Sequence, residues 1–340
     1  MYQITMDLSS PYKIYIENGI IDKIDEYLKE IYHYKNIYII TDERVAKHYL
    51  EHIEKKLVSF NVHSIVIKGN EESKSLAVYE EVCSKLIDLG ISRNEMLIAL
   101  GGGVIGDLVG FISATLYRGV PFIQVPTTLL AQVDSSIGGK TGIDFKEHKN
   151  ILGSFNQPKM VLIDPLVLKT LPIEHLKNGY GEMIKHALIG SPKLFSLLEE
   201  NSSITEEIIY ENLLVKKRHV IADEFDKGER MKLNFGHTFG HIIELKHHLL
   251  HGEAVLSGML AAFDFSNKVG FDTTELKEKV LKLYKKYDLR YEMVSIKGLA
   301  NEIRFDKKNL AGTINFIFVT ELGKSFIYQI KEDELRGYFN

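Results

Sequence analysis

The chain has 340 residues, 45% hydrophobic and 26% charged, with a formal net charge of −4 at neutral pH. That length holds one large domain or two ordinary ones with a core that needs no disulfide, and the single cysteine, Cys83, could form none internally. The lack of a long basic run argues against bulk nucleic-acid binding, and the longest nearly apolar run, AVLSGMLAAF at 254–263, is too short to span a bilayer, so neither nucleic acid nor membrane is an expected partner.

The N-terminal stretch MYQITMDLSSPYKIYIENG has no basic segment followed by an apolar block. It reads as strands rather than a signal peptide, and a cytoplasmic location is expected. The first half then alternates two patterns. ITMDL, YKIYI, IYIIT, SIVIK, MLIAL, FIQVP and MVLID read as strands. Amphipathic segments of helix length, such as 22–31 and 76–89, separate several of them, which predicts a mainly parallel α/β sheet. After about Pro165 the pattern changes. Segments 173–189, 193–200, 204–222, 236–248, 252–269 and 274–287 read as helices by apolar spacing, and TINFIFVT with SFIYQI reads as a hairpin. The expectation is an α/β domain over 1–165 and a mainly helical domain over 166–340, with a small-molecule site in the cleft between them.

In MLIALGGGVIGDLVGF a strand runs into Gly101, Gly102, Gly103 and Gly106 before an apolar helix. Gly101, Gly103 and Gly106 satisfy G-x-G-x-x-G, which fits either a pyrophosphate at a helix N-terminus or a tight ligand-free turn. The usual dinucleotide fingerprint is not matched in full, because no acidic residue follows about 20 positions on. The PTT of 126–128, Asp42 at the end of IYIIT and the polar segment 69–74 after SIVIK add hydroxyls and carboxylates at other strand ends, favouring a nucleotide site. QVDSSIGGKTGIDFKEHKN, 132–150, reads as a glycine-rich, non-helical stretch, and its Ser-Ser-x-Gly-Gly-Lys has an anion-binding composition.

LNFGHTFGHIIELKHHLLHGEAV, 233–255, holds five of the chain's 13 histidines. His237 and His241 are four apart, so a helix puts them on one face and the simplest reading makes both metal ligands. His251 is a candidate third, with Glu244, Glu253 and Glu182 as acidic candidates. His247 and His248 read as solvated. Mixed imidazole and carboxylate ligands suit a borderline divalent ion such as Zn²⁺.

Taken together, GGGVIGDLVGF, RGVPFIQVPTTLLAQVDSSIGGKTGID, GEMIKHALI, ADE with GER and LNFGHTFGHIIE, HGEAV and DKK occur in an order that resembles the 3-dehydroquinate synthase family over essentially the whole chain. The resemblance implies a Rossmann-like nucleotide-binding α/β domain and a mainly helical metal-binding domain. It implies a metal, usually Zn²⁺ with Co²⁺ or another divalent cation as substitute, on Glu182, His237 and His251, and moves His241 from the ligand set to the substrate phosphate. It implies NAD⁺ bound by Asp42, Glu71, Lys74, Gly103, Val104, Ile105, Gly106, Asp107, Thr127, Thr128, Lys140, Lys149 and the stretch that includes Leu168 and Thr170. Asp134, Lys140, Lys185 and His241 match catalytic positions; Asn150, Lys216, Arg230, Asn234 and Lys308 (or its neighbour Lys307) match substrate positions. Arg118 matches an arginine that enters a neighbouring subunit's site, which implies a homodimer. Two departures are His186, where a tyrosine is common, and a short segment between His241 and His251.

The implied reaction converts 3-deoxy-D-arabino-heptulosonate 7-phosphate, a sugar phosphate, to 3-dehydroquinate and phosphate, a step of aromatic amino-acid biosynthesis. Oxidising the C5 hydroxyl acidifies the C6 proton, phosphate leaves, the hydride returns, and ring opening and an aldol step close the carbocycle. A cleft that closes on the substrate would keep water from the enol intermediates. Rival readings are another sugar-phosphate cyclase, a metal-dependent polyol dehydrogenase and a non-catalytic nucleotide-binding regulator.

Overall fold

A computed structural model describes residues 1–146, 148–297 and 312–339. The chain forms two compact units, one of 1–176 with 205–210 and one of 177–204 with 211–340. The division falls at 176/177, inside a helix and later than the boundary expected at 165.

The first unit is built on a seven-stranded sheet. Its strands are β1 (Tyr2–Met6), β2 (Tyr12–Ile16), β3 (Asn36–Asp42), β4 (Asn61–Ile67), β5 (Met96–Gly101), β6 (Phe122–Pro126) and, after a separate hairpin of β7 (Lys140–Phe145) and β8 (His148–Phe155), β9 (Met160–Ile163). The order is β1-β2-β9-β6-β5-β3-β4, with β1–β2 antiparallel and every other pair parallel. The expected α/β character is therefore present, and all seven strand-like runs fall in this sheet.

A parallel sheet covered on both faces needs strands that are apolar on both faces. In β3, Ile37 and Ile39 join one core with Ile98, Leu100, Ile123 and Val125, while Tyr38 and Ile40 join the opposite core with Leu97, Ala99 and Phe122. The first face is covered by the helix Ile24–Ile31 and the helical stretch 43–56, through Ile24, Leu28 and Ile53. The second is covered by the helices Leu76–Asp88 and Gly103–Thr115, through Val82, Leu86, Leu108, Val109 and Ile112. Each such side chain contributes roughly 1.5–3 kcal/mol on burial.

Register then fixes where the strands end. Asp42 pairs with Ile67, Thr41 with Leu100 and Gly101 with Pro126, so Asp42, the 68–75 loop, the glycine turn and Thr127 lie along one edge. This is the edge at which open α/β sheets bind ligands.

The second unit is mainly helical. It holds most of the helix Ile173–Gly190, then Pro192–Glu200, most of Glu206–Ala222, His237–His247, His251–Lys268 and Thr274–Lys286. The expected hairpin is present as β10 (Thr313–Glu321) and β11 (Lys324–Lys331), antiparallel. Phe316 and Phe318 of β10 pack on Phe265 of the helix His251–Lys268, Phe316 at 4.7 Å between ring centroids.

Two helix contacts in this unit are closer than side chains permit. A Cβ on Gly252 would lie 1.9 Å from the Asn178 carbonyl oxygen, and one on Gly258 would lie 2.0 Å from the Gly236 carbonyl oxygen. Backbone thus packs on backbone where His251–Lys268 meets Ile173–Gly190 and His237–His247. Helix propensity alone says that Gly258→Ala stabilises, by about 1 kcal/mol. The contact says the opposite, a loss on the order of 1–3 kcal/mol from overpacking. Urea denaturation is expected to show a lower midpoint for Gly258→Ala, and a raised midpoint would refute the close packing.

Candidate metal and nucleotide sites

The three helices that meet on glycine each deliver one donor beside the contact. Gly181 precedes Glu182, Gly236 precedes His237 and Gly252 follows His251. A Cβ on Gly181 would lie 2.6 Å from the Gly252 carbonyl oxygen, so Glu182 and His251 sit on backbones in direct contact. Asn178 Oδ1 accepts a 2.5 Å hydrogen bond from the Gly252 N–H and fixes this crossing.

The result is a compact donor set. Glu182 Oε1 lies 3.3 Å from His251 Nε2 and 3.5 Å from His237 Nε2. One ligand atom from each residue lies within 4.8 Å of the other two, close enough to share one ion. The Glu182 side chain is only 1% exposed. Burial raises its pKa, but Lys185, which donates to Oε2, and the two imidazoles outweigh that and hold the carboxyl well below its usual range. Burial pushes His237 down to about 3 against the pull of Glu182. Burial also lowers His251, yet hydrogen bonds to Glu182 and Glu244 override it and push this ring up to about 9. A buried carboxylate and two imidazoles thus converge, a donor set that suits a divalent cation.

The ring orientations fit a metal as well. His237 Nδ1 lies 3.3 Å from the Phe235 carbonyl oxygen and His251 Nδ1 lies 3.5 Å from Glu244 Oε2, so each ring has an acceptor behind it and turns Nε2 towards Glu182. Such outer partners fix the tautomer that leaves a ligand lone pair on Nε2. Of the acidic candidates, Glu182 lies among the converging donors; Glu244 stands behind one of them, and Glu253 Oε2 accepts from the Leu250 N–H.

The simple reading that paired His237 with His241 as ligands is not what the structure builds. His241 shares the helix face, but its ring stands edge-on to His237 with centroids 5.6 Å apart, and the donor set forms without it. His247 and His248 are exposed. His186, the departure from tyrosine, is buried with Nδ1 3.0 Å from Asn212 Oδ1.

The other candidates of this unit are positioned by one loop and one helix. Lys216 is buried on Glu206–Ala222. Arg230 is 3% exposed and donates through its guanidinium to the Glu224 carbonyl oxygen at 2.7 Å. Asn234 ends the following short helix Glu229–Asn234. The organiser of this loop is Asp223, which sequence reasoning placed only inside the ADE motif. Its carboxylate accepts from the backbone N–H groups of Lys227, Gly228 and Arg230 at 2.9, 2.6 and 3.1 Å. An Asp directly after the helix Glu206–Ala222, at the head of a turn that ends in Lys227 and Gly228, was the available signal. Lys308 lies outside the described residues.

In the first unit the glycine turn joins β5 to the helix Gly103–Thr115, whose N-cap Gly102 has no side chain to satisfy the first N–H groups. Two of its glycines pack closely, Gly101 on the Cβ of Ile105 and Gly106 on the amide end of the Gln124 side chain. A Cβ on Gly101 would lie 2.6 Å from Ile105 and one on Gly106 would lie 2.7 Å from Gln124. Gly103, Val104 and Ile105 are left to present backbone N–H groups at a helix N-terminus, a ready anion site. Around it three buried hydroxyls, Thr41 Oγ1, Thr127 Oγ1 and Ser135 Oγ, have no hydrogen-bond partner. Thr128 and Ser135 come within 2.9 and 3.1 Å of where Cβ atoms of Gly102 and Gly103 would sit.

Asp42 caps the next helical stretch through Oδ1, which accepts from Arg44 and Val45 N–H at 3.0 and 2.9 Å; its carboxyl pKa is raised by burial. Lys74 is buried and donates to Asp107 Oδ2 at 2.8 Å and to Asn150 Oδ1, with Glu71 Oε1 3.8 Å away. Burial lowers its pKa, but Asp107 and the other carboxylates raise it more. Sequence reasoning put Asn150 with the substrate and Lys74 and Asp107 with the nucleotide, whereas the structure ties all three into one cluster. Asn150 reaches it because the 132–150 stretch is not merely loop: it contains a helical turn, Ala131–Ser135, that carries Asp134, and then the β7–β8 hairpin, with Lys140 at its start and Lys149 and Asn150 in β8. Leu168 and Thr170 lie on Pro165–Thr170, where Thr170 Oγ1 is 2.6 Å from Tyr49 Oη.

Arg118 is set apart. It follows the far end of the 13-residue helix Gly103–Thr115, roughly 20 Å from the glycine turn. Tyr117 and Arg118 both have positive φ, at 51° and 63°, an uncommon backbone that holds Arg118 exposed.

The fold is shared with solved synthases. A 2-epi-5-epi-valiolone synthase from Streptomyces hygroscopicus, solved with NAD⁺ and Zn²⁺ bound, matches with a TM-score of 0.85 and 26% identity, covering 96% of this chain and 95% of that one. A 2-deoxy-scyllo-inosose synthase matches with a TM-score of 0.86 at 21% identity, over 99% of both chains. The architecture is thus the dehydroquinate synthase-like one. The family models for 3-dehydroquinate synthase N-terminal and 3-dehydroquinate synthase C-terminal match residues 64–178 and 179–309. A 3-dehydroquinate synthase of Clostridium acetobutylicum is 40% identical, over 99% of each chain. The chain belongs to the 3-dehydroquinate synthase family.

The Asp223 loop gives a pH-dependent prediction. Burial raises the pKa of the Asp223 carboxyl, but its three N–H partners and the Arg230 charge lower it by more, for a net fall below the ordinary value. A depressed folded pKa contributes stability above the unfolded value near 4, which is lost as pH falls through the folded value. The protection factors of the amides of Lys227, Gly228 and Arg230, taken against their intrinsic exchange rates, are therefore expected to fall below about pH 4, and to be low at neutral pH in Asp223→Ala. Unchanged protection in the variant would refute the role.

Proposed function

We propose that this chain carries out the 3-dehydroquinate synthase reaction on 3-deoxy-D-arabino-heptulosonate 7-phosphate, with NAD⁺ recycled within each turnover and a divalent ion, Zn²⁺ in the first place, on Glu182, His237 and His251. The observation that carries the reading is the convergence of those three side chains on one point with Nε2 of both rings facing in. The bound cofactors of the Streptomyces valiolone synthase support it. When bound, the ion would polarise substrate oxygens and the nicotinamide would hold the C5 hydride between removal and return.

The chain's own residues supply the rest. The N–H groups of Gly103, Val104 and Ile105, with Thr127 and Thr128, would bind the nucleotide, and Asp42, Glu71, Lys74, Asp107, Lys149, Leu168 and Thr170 would flank it. Lys216 and Arg230, both buried cations, would hold the substrate carboxylate. Lys140, Asn150 and Asn234 would hold the phosphate, with Arg118 supplied by a second copy of the chain in a homodimer. Asp134 and Lys185 would orient hydroxyls. His241, exposed and edge-on to His237, would move a proton at the leaving phosphate.

The test follows phosphate release and NADH absorbance together. Phosphate release without NADH build-up, lost on chelation and restored by Zn²⁺, is expected. Accumulating NADH would mean a dehydrogenase and overturn the reading. Thr127→Val tests the nucleotide half separately. Removing an unpartnered buried hydroxyl is expected to leave the unfolding temperature equal or higher. NAD⁺ binding by calorimetry is expected to weaken roughly fivefold, the worth of one hydrogen bond. Unweakened binding would remove Thr127 from the site.

A further inference from the structure

The two histidines of the donor set are held in unlike ways. His237 lies inside the helical hairpin, 14% exposed, and its Nδ1 faces a backbone carbonyl, an acceptor that no side-chain substitution removes. His251 opens its helix, is 36% exposed, and has less packing to fix its ring. What stands behind it is a side chain. Glu244 Oε2 lies 3.5 Å from Nδ1, with the Glu244 side chain 15% exposed. The placement follows from the helix: His237, His241 and Glu244 recur at i, i+4 and i+7, one stripe of His237–His247, and the left-handed His248 at φ 50° turns the chain so that His251 folds back onto that stripe.

We propose that Glu244 is a positioning residue for the metal site. Its carboxylate accepts from Nδ1–H of His251, selects the tautomer with the lone pair on Nε2, and keeps that nitrogen turned towards Glu182. Without it, rotation of the half-exposed ring would present a C–H in place of a ligand. This rests on the metal reading given above.

The experiment uses the full chain loaded with Co²⁺ and measures the visible Co²⁺ bands and the affinity by chelator competition, alongside the unfolding temperature of the metal-free protein. Wild type, Glu244→Gln and Glu244→Ala are compared. The expected result is a 10–100-fold loss of affinity in Glu244→Ala with altered bands. A smaller loss is expected in Glu244→Gln, which keeps an acceptor oxygen, and the metal-free unfolding temperature should fall only slightly in either, because the part-exposed contact with His251 is weak. Wild-type affinity and bands in Glu244→Ala would overturn the assignment. So would a loss equal in both variants and matched by a fall in metal-free stability, which marks a purely structural role. Failure of the wild-type chain itself to hold Co²⁺ would instead overturn the metal reading, so the two failures are distinguishable.

Discussion

A carboxylate can be stripped of water inside a protein only if other charges and hydrogen bonds replace what water gave. Glu182 is the residue on which this constraint falls most heavily here: its side chain is 1% exposed, and Lys185, His237 and His251 surround it. Those partners come from three helices, and ordinary helices pack 8–10 Å apart, which is wide for a shared ion. Glycine at the crossings narrows the gap until backbone meets backbone. Gly252 fits under Asn178 and Gly258 fits under Gly236 with no room for a methyl group. Packing and chemistry are therefore one requirement: each donor is adjacent in sequence to a glycine because each sits where two helices touch.

The first unit solves a different problem with the same economy. Its parallel strands all end on one edge, and the polar groups there are incompletely satisfied by the protein: uncapped N–H groups at the glycine turn, and the hydroxyls of Thr41, Thr127 and Ser135. Buried polar atoms without partners cost about 1–3 kcal/mol each. A nucleotide whose phosphates accept from N–H groups and whose ribose and amide meet hydroxyls would offset that cost. The Lys74–Asp107–Asn150 cluster pins the β7–β8 hairpin to the same region of this unit.

Much of this was legible in the sequence, for identifiable reasons. Strands buried on both faces are unbroken apolar runs, and IYIIT and MLIAL are that. The second unit's helices have regular apolar spacing, as segments 173–189 and 252–269 show. The family order of motifs named Glu182, which spacing could not, because Glu182 and His251 are 69 positions apart. What was not legible was contact that spacing does not encode. The pair His237 and His241 looked equivalent at i and i+4, yet it is His237 that has the Phe235 carbonyl oxygen behind it and Glu182 in front. The 132–150 stretch reads as loop because its glycines mask the β7–β8 pairing. Asp223 carries no periodic signal, and Glu244, offered by the sequence as a candidate ligand, instead stands behind His251, which a turn brings back to it.

One carboxylate and two imidazoles are arranged to share a single ion. Anomalous diffraction at the zinc edge, from crystals grown with Zn²⁺, would show that ion. One peak is expected at about 2.0–2.2 Å from an oxygen of Glu182 and from Nε2 of both His237 and His251. A peak that includes His241 in place of one of these, or no peak among them, would contradict it.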